Sequence, residues 1–385
     1  MRETFLPFSP PMIGDEEIAE VVDTLRSDWI TTGPKVKRFE QEFAEFVGAQ
    51  SALAVSSATD AMLVGLAALG IGSGDEVITT PMTFCSTVHV IEHLGARPVL
   101  VDVETDTLNI DPGRVAEAVS ENTRAVLPVH LYGHPCEMDT LLGLAETHGL
   151  HVLEDAAHAL PAKYRGHTVG TLGDLTAFSF YATKNLTTGE GGMLTGNSDY
   201  VEKARIWSLH GIRSDAYTRY SAEGSWFYEV VLPGFKCNMM DIQASLGLHQ
   251  LRRQIKSQVR RRAIVQAYDE AFADLPEVER PARREEVEHA WHLYVLRLNL
   301  DMLTIDRARF IQELRSRNIG ASVHFIPVHV HPYYRAKYGY SPYDFPVAYR
   351  NYLRLVSLPL NLRMTDTDVD SVIDAVVDVV SSHRR

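Results

Sequence analysis

The chain is poor in cysteine. Cys85, Cys136 and Cys237 are the only three among 385 residues, far apart and in no CxxC pair. That excludes a disulfide framework and a zinc knuckle, and reduced thiols suit the cytoplasm. No long uncharged apolar run of the kind that crosses a membrane is present. The opening "MRETFLPFSPPMIGDEE" places acids and prolines where a signal peptide needs an apolar core. A cytoplasmic protein with no membrane partner is therefore expected. Positive charge is also in deficit: the formal net charge is −13, the wrong sign for a general nucleic-acid binder. The one basic run, "RRQIKSQVRRR" at 252–262, lies in a helical pattern and reads as a solvated helix face or a subunit contact. There is no internal repeat and no low-complexity segment.

What the chain does have is apolar residue, 45% of the total, enough for a sizeable core. Short apolar runs alternate with helical patterns over the first two-thirds. They are "SALAVSS" (51–57), "EVITT" (76–80), "RPVLVDV" (97–103), "RAVLPVH" (124–130), "HVLEDAA" (151–157) and "LTAFSF" (175–180). Near-continuous apolar strands between helices predict an α/β fold with a mostly parallel sheet covered on both faces. Near Pro233 the pattern changes. "LPGFKCNMMDIQASLGLHQL" opens a helical run to about Phe272, followed by a strand at 292–300 and a helix at 306–318. The expected division is a large unit over 1–240 and a smaller α+β unit over 241–385, entered by a long linking helix.

Ligands of such sheets bind beyond the carboxyl ends of the strands. Three expected strand ends carry unusual residues. "HVLED" ends in Glu154 and Asp155, with His158 following; "SFYATKN" carries Ser179, Lys184 and Asn185; "AVSSATD" carries Ser57, Ala58 and Thr59 at a helix start. A helix start built of small residues offers free N–H groups and the positive end of a dipole, a place for phosphate. An ordinary N-cap is the alternative there. Lys184 could simply pair with Glu190, and Asp155 could cap a turn. Together, an acid, a lysine and a phosphate cup are what pyridoxal phosphate requires. The lysine forms a Schiff base, the carboxylate holds the ring nitrogen protonated, and the helix terminus holds the phosphate. Burial in an apolar pocket would favour the neutral, nucleophilic amine.

"EDAAHA", "SFYATKNLTTGEGGMLTGN", "VSSATDA" and "DWITTGPKVKRFEQEFA", in this combination and spacing, resemble the DegT-like nucleotide-sugar aminotransferases. These belong to fold type I of the pyridoxal phosphate enzymes, the aspartate aminotransferase superfamily. The resemblance spans nearly the whole chain. It implies an aspartate-aminotransferase-like large domain and a smaller C-terminal one. It implies Lys184 as the Schiff-base lysine, Asp155 as partner of the ring nitrogen, and His158 packed near the cofactor. Phe84 matches the ring-stacking aromatic, while Ala58, Thr59 and Ser179 match the phosphate cup. Asn238 matches an asparagine that reaches the phosphate of the neighbouring subunit, which implies a homodimer with shared active sites. L-Glutamate is the implied donor, leaving as 2-oxoglutarate with pyridoxamine phosphate retained, and a nucleotide-linked ketosugar is the implied acceptor. "FLPFSPPMIG", "WITTGP" and "HAWHLYV" lean towards amination at C4 of a 4-keto-6-deoxyhexose or 4-ketopentose on UDP or dTDP. Amination at C3 of a dTDP-sugar is the alternative. A pyridoxamine-phosphate-dependent dehydratase would replace the lysine, and a non-catalytic sensor would not need the whole set.

The remaining clusters are weaker. Trp29, Thr31 and Thr32 in "WITTGP" fall, by the resemblance, beside the sugar nucleotide, as does His324, and Asn185 is a further candidate substrate contact. "VHFIPVHVHPYYR" holds His324, His329 and His331 on a β-like run, but no carboxylate stands at matching spacing, and no metal is expected. Trp291 in "HAWHLYV" reads as core packing. "GEGG" lacks a GK[ST] ending and reads as a tight turn close to the cofactor.

Overall fold

The computed structural model describes residues 2–213 and 226–385. Its central feature is a seven-stranded sheet. In space the strands run Ser51–Val55, Gly192–Gly196, Leu175–Ser179, His151–Asp155, Thr123–Val126, Glu76–Thr79 and Arg97–Leu100. From Leu175–Ser179 to Arg97–Leu100 every pair is parallel, while Gly192–Gly196 is antiparallel to both of its neighbours. That strand had read as part of a glycine-rich loop. Glycine disfavours strands on its own account, but here two flanking ladders supply hydrogen bonds on both edges.

Alternation along each strand divides the core between two faces. Leu53, Val55, Leu175, Ala177 and Leu194 pack with the helix Ala58–Ala68 and with Val201 and Ala204 of the helix Ser198–Ser208. Ala52, Ala54, Phe178 and Met193 face the other way, against Phe39 and Phe43 of the helix Pro34–Val47. Both phenylalanines are fully buried, which stabilises the fold by about 1.5–3 kcal/mol each. The helix Ala58–Ala68 lies close on the sheet because residue 65 is glycine. A Cβ there would meet Leu153 Cδ1 at 2.6 Å.

A second sheet, Val278–Glu279, Tyr294–Leu298 and Leu355–Leu358, is antiparallel throughout. It shares a core with Tyr268, Phe310 and Val372 from the helices Gln254–Ala271, Arg307–Ser316 and Asp366–His383. Leu6 belongs to this core and bridges Ile319. The single long helix expected from about 233 is two helices, Asp241–Arg252 and Gln254–Ala271, with residues 233–240 outside either. At the break, Arg253 is held by Glu17 and by the Met12 carbonyl. The first helix packs with Phe39 and Phe43 through Ala244 and Leu248, and the second with the small sheet. Along these two helices the change of core falls at Arg253. The stretch "VHFIPVHVHPYYR" is not β-like either. It contains a turn at Val328–Val330 and a helix at Pro332–Tyr338, the proline taking the helix start.

Candidate active site

The strands Ser51–Val55, Leu175–Ser179 and His151–Asp155 end along one edge of the sheet, where a cavity of about 490 Å³ opens. Ala58, Thr59, Phe84, Asp155, His158, Ser179, Lys184 and His324 all line it. Asp155 ends its strand with the main chain tied on both sides. Its N–H donates to Pro128 O at 2.8 Å, and its carbonyl accepts from the His130 N–H at 3.1 Å. Its carboxylate accepts from Thr87 Oγ1 at 2.8 Å and from the Ala157 N–H at 3.1 Å. Burial raises its pKa, while Thr87, Ala157 and the Lys184 charge pull the other way. Burial also lowers the Lys184 amine to about 8, against the pull of Asp155. Each group thus keeps the other nearer its charged form. The alternative pairing of Lys184 with Glu190 is not among the ion pairs of the described residues; Glu190 stands exposed at the rim.

The expected phosphate cup is built of backbone. Ser57 caps the helix Ala58–Ala68, its Oγ accepting from the Asp60 N–H at 3.0 Å and donating to Asp60 Oδ2 at 2.8 Å. The capping alternative therefore holds for the Ser57 side chain. The amides of Ala58 and Thr59 are the first two of that helix and have no intrahelical acceptor. Gly192 pairs with Val55 on one side and Ser179 on the other. A Cβ at 192 would meet Ser57 C at 2.4 Å and Ala58 N at 2.6 Å. Only glycine lets the three strand ends close into a cradle, and its N–H-lined shape fits a phosphate.

Aromatic and histidine rings form the rest of the wall. Phe84 is 59% exposed, an unusual state for phenylalanine that a flat ring laid over it would relieve. Phe325 stacks on His158 at 5.6 Å, and His158 lies 4.4 Å from the His292 ring. His158 Nδ1 accepts from the Tyr132 N–H at 3.2 Å, so its proton sits on Nε2. Burial, then the Lys184 charge, holds His158 well below the usual histidine range and brings His324 down to about 4.

Other expected contacts lie elsewhere. Asn185 is buried with its amide committed to protein groups, donating to Leu160 O at 2.8 Å and Ala290 O at 2.9 Å. The turn that closes with the Lys184 N–H donating to Tyr181 O at 2.9 Å precedes residue 185, whose side chain faces these protein carbonyls and not the cavity. Trp29, Thr31 and Thr32 do not line the cavity. Trp29 Nε1 donates to Thr32 O at 2.8 Å, Thr32 Oγ1 to Met239 O at 2.5 Å, and Asn238 Nδ2 to Thr32 Oγ1 at 2.6 Å. Thr31 O accepts from the Asp241 N–H at 3.1 Å. Asn238 pairs with Val55 of its own chain and also lies outside the cavity. Buried His329 packs on Phe345, and no metal-binding group of side chains occurs among the described residues. Thr83, Thr87, His292 and Phe325 are site residues that the motifs did not single out. Thr83 and Thr87 share a 2.8 Å hydrogen bond and would have been found by placing Thr87 one turn beyond Phe84.

The model of the DegT/DnrJ/EryC1/StrS aminotransferase family matches residues 11–377. Spore coat polysaccharide biosynthesis protein SpsC of Bacillus subtilis is 53% identical over 381 residues, 98% of each chain. The putative sugar aminotransferase Spr1654 from Streptococcus pneumoniae, in its PMP form, superposes with a TM-score of 0.92 at 38% identity. That match covers 98% of this chain and 99% of the other. DesI, solved in the presence of its TDP-sugar product, superposes with a TM-score of 0.88 at 30% identity, covering 99% and 94%.

Proposed function

This chain belongs to the DegT/DnrJ/EryC1/StrS aminotransferase family, and we propose that it moves the amino group of L-glutamate to C4 of a nucleotide-linked ketosugar. The acceptor in this reading is a 4-keto-6-deoxyhexose or 4-ketopentose on UDP or dTDP. The enzyme is a pyridoxal-phosphate-dependent sugar transaminase. The observation that carries the reading is the meeting of Lys184, Asp155 and the Ser57–Thr59 helix start in one cavity. A nucleotide sugar as acceptor is supported by the likeness to DesI and its TDP-sugar product. C4 rests on the segments "FLPFSPPMIG", "WITTGP" and "HAWHLYV".

When bound, pyridoxal phosphate supplies an electron sink for charge developing at the amino acid Cα. The chain's own groups do the rest. The Ala58 and Thr59 amides and Ser179 would hold the phosphate, and Asp155 would hold the protonated ring nitrogen. Phe84 would cover one ring face. Lys184 Nζ, near neutrality because it is buried, takes the proton from the glutamate Cα and returns a proton at the sugar carbon in the second half-reaction.

The substrates bring carboxylates and a diphosphate, yet Lys184 is the one lysine or arginine among the described lining residues, beside Asp155 and Glu190. The rim carries exposed Phe84, Tyr181 and Ile326, and the helix Asp15–Arg26 exposes Ile18, Val22 and Leu25. This shortage of cations and this apolar surface support a homodimer whose second subunit completes each site, with Asn238 crossing over. A cytoplasmic location fits three free cysteines. The test is a panel of nucleotide ketosugars incubated with glutamate and read by mass spectrometry. Amination of 4-keto substrates is expected; conversion of 3-keto substrates alone would overturn the C4 assignment.

A further inference from the structure

His292 lines the cavity and is tied to the loop that carries the lysine. Its Nδ1 lies 3.2 Å from Asn185 Oδ1. The orientation of that amide is settled by its other contacts, because Asn185 Nδ2 points at two carbonyls, Leu160 O and Ala290 O. Carbonyls only accept, so the nitrogen of the amide must face them and the oxygen must face His292. The imidazole is then the donor, with its proton on Nδ1. Nε2 has no hydrogen-bond partner among the described residues, and in this tautomer it carries a lone pair.

Two further ties hold the main chain of His292. Its main-chain N–H donates to Tyr132 O at 3.1 Å. Its carbonyl accepts at 3.5 Å from Arg261 Nη1, which also donates to Trp291 O and Leu360 O at 3.1 Å. A second proton on His292 is opposed by burial first, and then by His158, Lys184, Arg261 and His324. The tilted ring pair at 4.4 Å therefore offers two different functions: His158 an N–H, His292 a lone pair.

We propose that Asn185 locks His292 in this one neutral tautomer, so that Nε2 is a fixed acceptor in the reaction cavity for the Lys184 amine. Lys184 is the one lysine among the described lining residues, and only its identity as the donor rests on the aminotransferase reading. Asn185 is a positioning residue that acts through His292. During turnover the acceptor steadies the lysine between its two proton transfers.

Heteronuclear NMR of the cofactor-free protein, isotope-labelled at histidine, tests the tautomer without any turnover. His292 is assigned by loss of its signals in His292→Gln or, if that variant does not fold, His292→Asn. The expected pattern is a proton on Nδ1 and a bare Nε2, unchanged between about pH 8 and about pH 6. A proton on Nε2, or an imidazolium in that range, overturns the proposal. Asn185→Leu, or Asn185→Ser if the first is unstable, should mix both tautomers; an unmixed pattern in a folded variant also overturns it. In the loaded enzyme, His292→Phe should lower kcat about tenfold with the KM for glutamate unchanged. An unaltered kcat removes Lys184 as the donor. Failure of the aminotransferase reading would instead leave the tautomer intact and glutamate without effect.

Discussion

Thr87 Oγ1 donates to Asp155 Oδ2 across 2.8 Å, and Thr83 Oγ1 stands a further 2.8 Å behind it. The helix Ser86–His93 thus reaches over to brace the acid at the end of the strand His151–Asp155. A hydrogen bond to a charged group contributes about 1.5–3 kcal/mol. Thr87→Val removes this one while keeping the shape. Asp155 should then hold a proton more readily and the ring nitrogen less well. Steady-state assays should show kcat/KM reduced by about tenfold to a hundredfold.

Lys184→Ala should lose at least about a thousandfold in rate, because no other lining lysine can replace the nucleophile. Borohydride reduction followed by denaturing mass spectrometry should leave the cofactor's mass on the wild-type chain and not on the variant. Equal masses in both would remove Lys184 from its role.

Loading of the cofactor-free protein depends on the neutral amine. Burial brings Lys184 to about 8, so the loading rate should rise with pH through about 8 and level off above it. Asp155 holds that value up, since a nearby negative charge favours the ammonium. Asp155→Asn should therefore move the midpoint to lower pH, not higher. Stopped-flow absorbance over the range reads both curves.

Asp241 caps a helix other than its own. Its carboxylate accepts from the N–H groups of Gly33 at 2.9 Å, Lys35 at 3.1 Å and Val36 at 2.9 Å, at the start of Pro34–Val47. Asp241→Ala should cost about 2 kcal/mol, the upper end for a lost cap, because three donors are orphaned. A thermal melt should show the fall in Tm. The 29–33 loop, which Asp241 anchors, should become accessible to proteases in the same variant.

Much of this site was readable from the residue order. Strand ends in an open α/β sheet collect ligands, and Asp155, Lys184, Ser179 and Ala58 stand at or just beyond such ends. What could not be read were relations across the chain. Thr87 is unremarkable until the sheet order brings its helix beside residue 155. His292 looks like the start of a strand until Asn185 orients it. Asn185, next to the lysine in the chain, points into the protein, where its amide is taken up by Leu160 O and Ala290 O. The break at Arg253 was hidden because both helices keep apolar spacing and differ only in which core they face. Gly192–Gly196 escaped notice because its strand character comes from its neighbours.

Val55, Gly192 and Ser179 stand side by side on three strands, with Ser57 and Ala58 just beyond. The width of the phosphate cradle is thereby the spacing of two ladder steps, close to 10 Å, with nothing but backbone between. Retention of a phosphate there would be a property of sheet register. A slip that brings Met193 to the place of Gly192 would set a side chain against Ser57 and Ala58 and close the cradle to a phosphate.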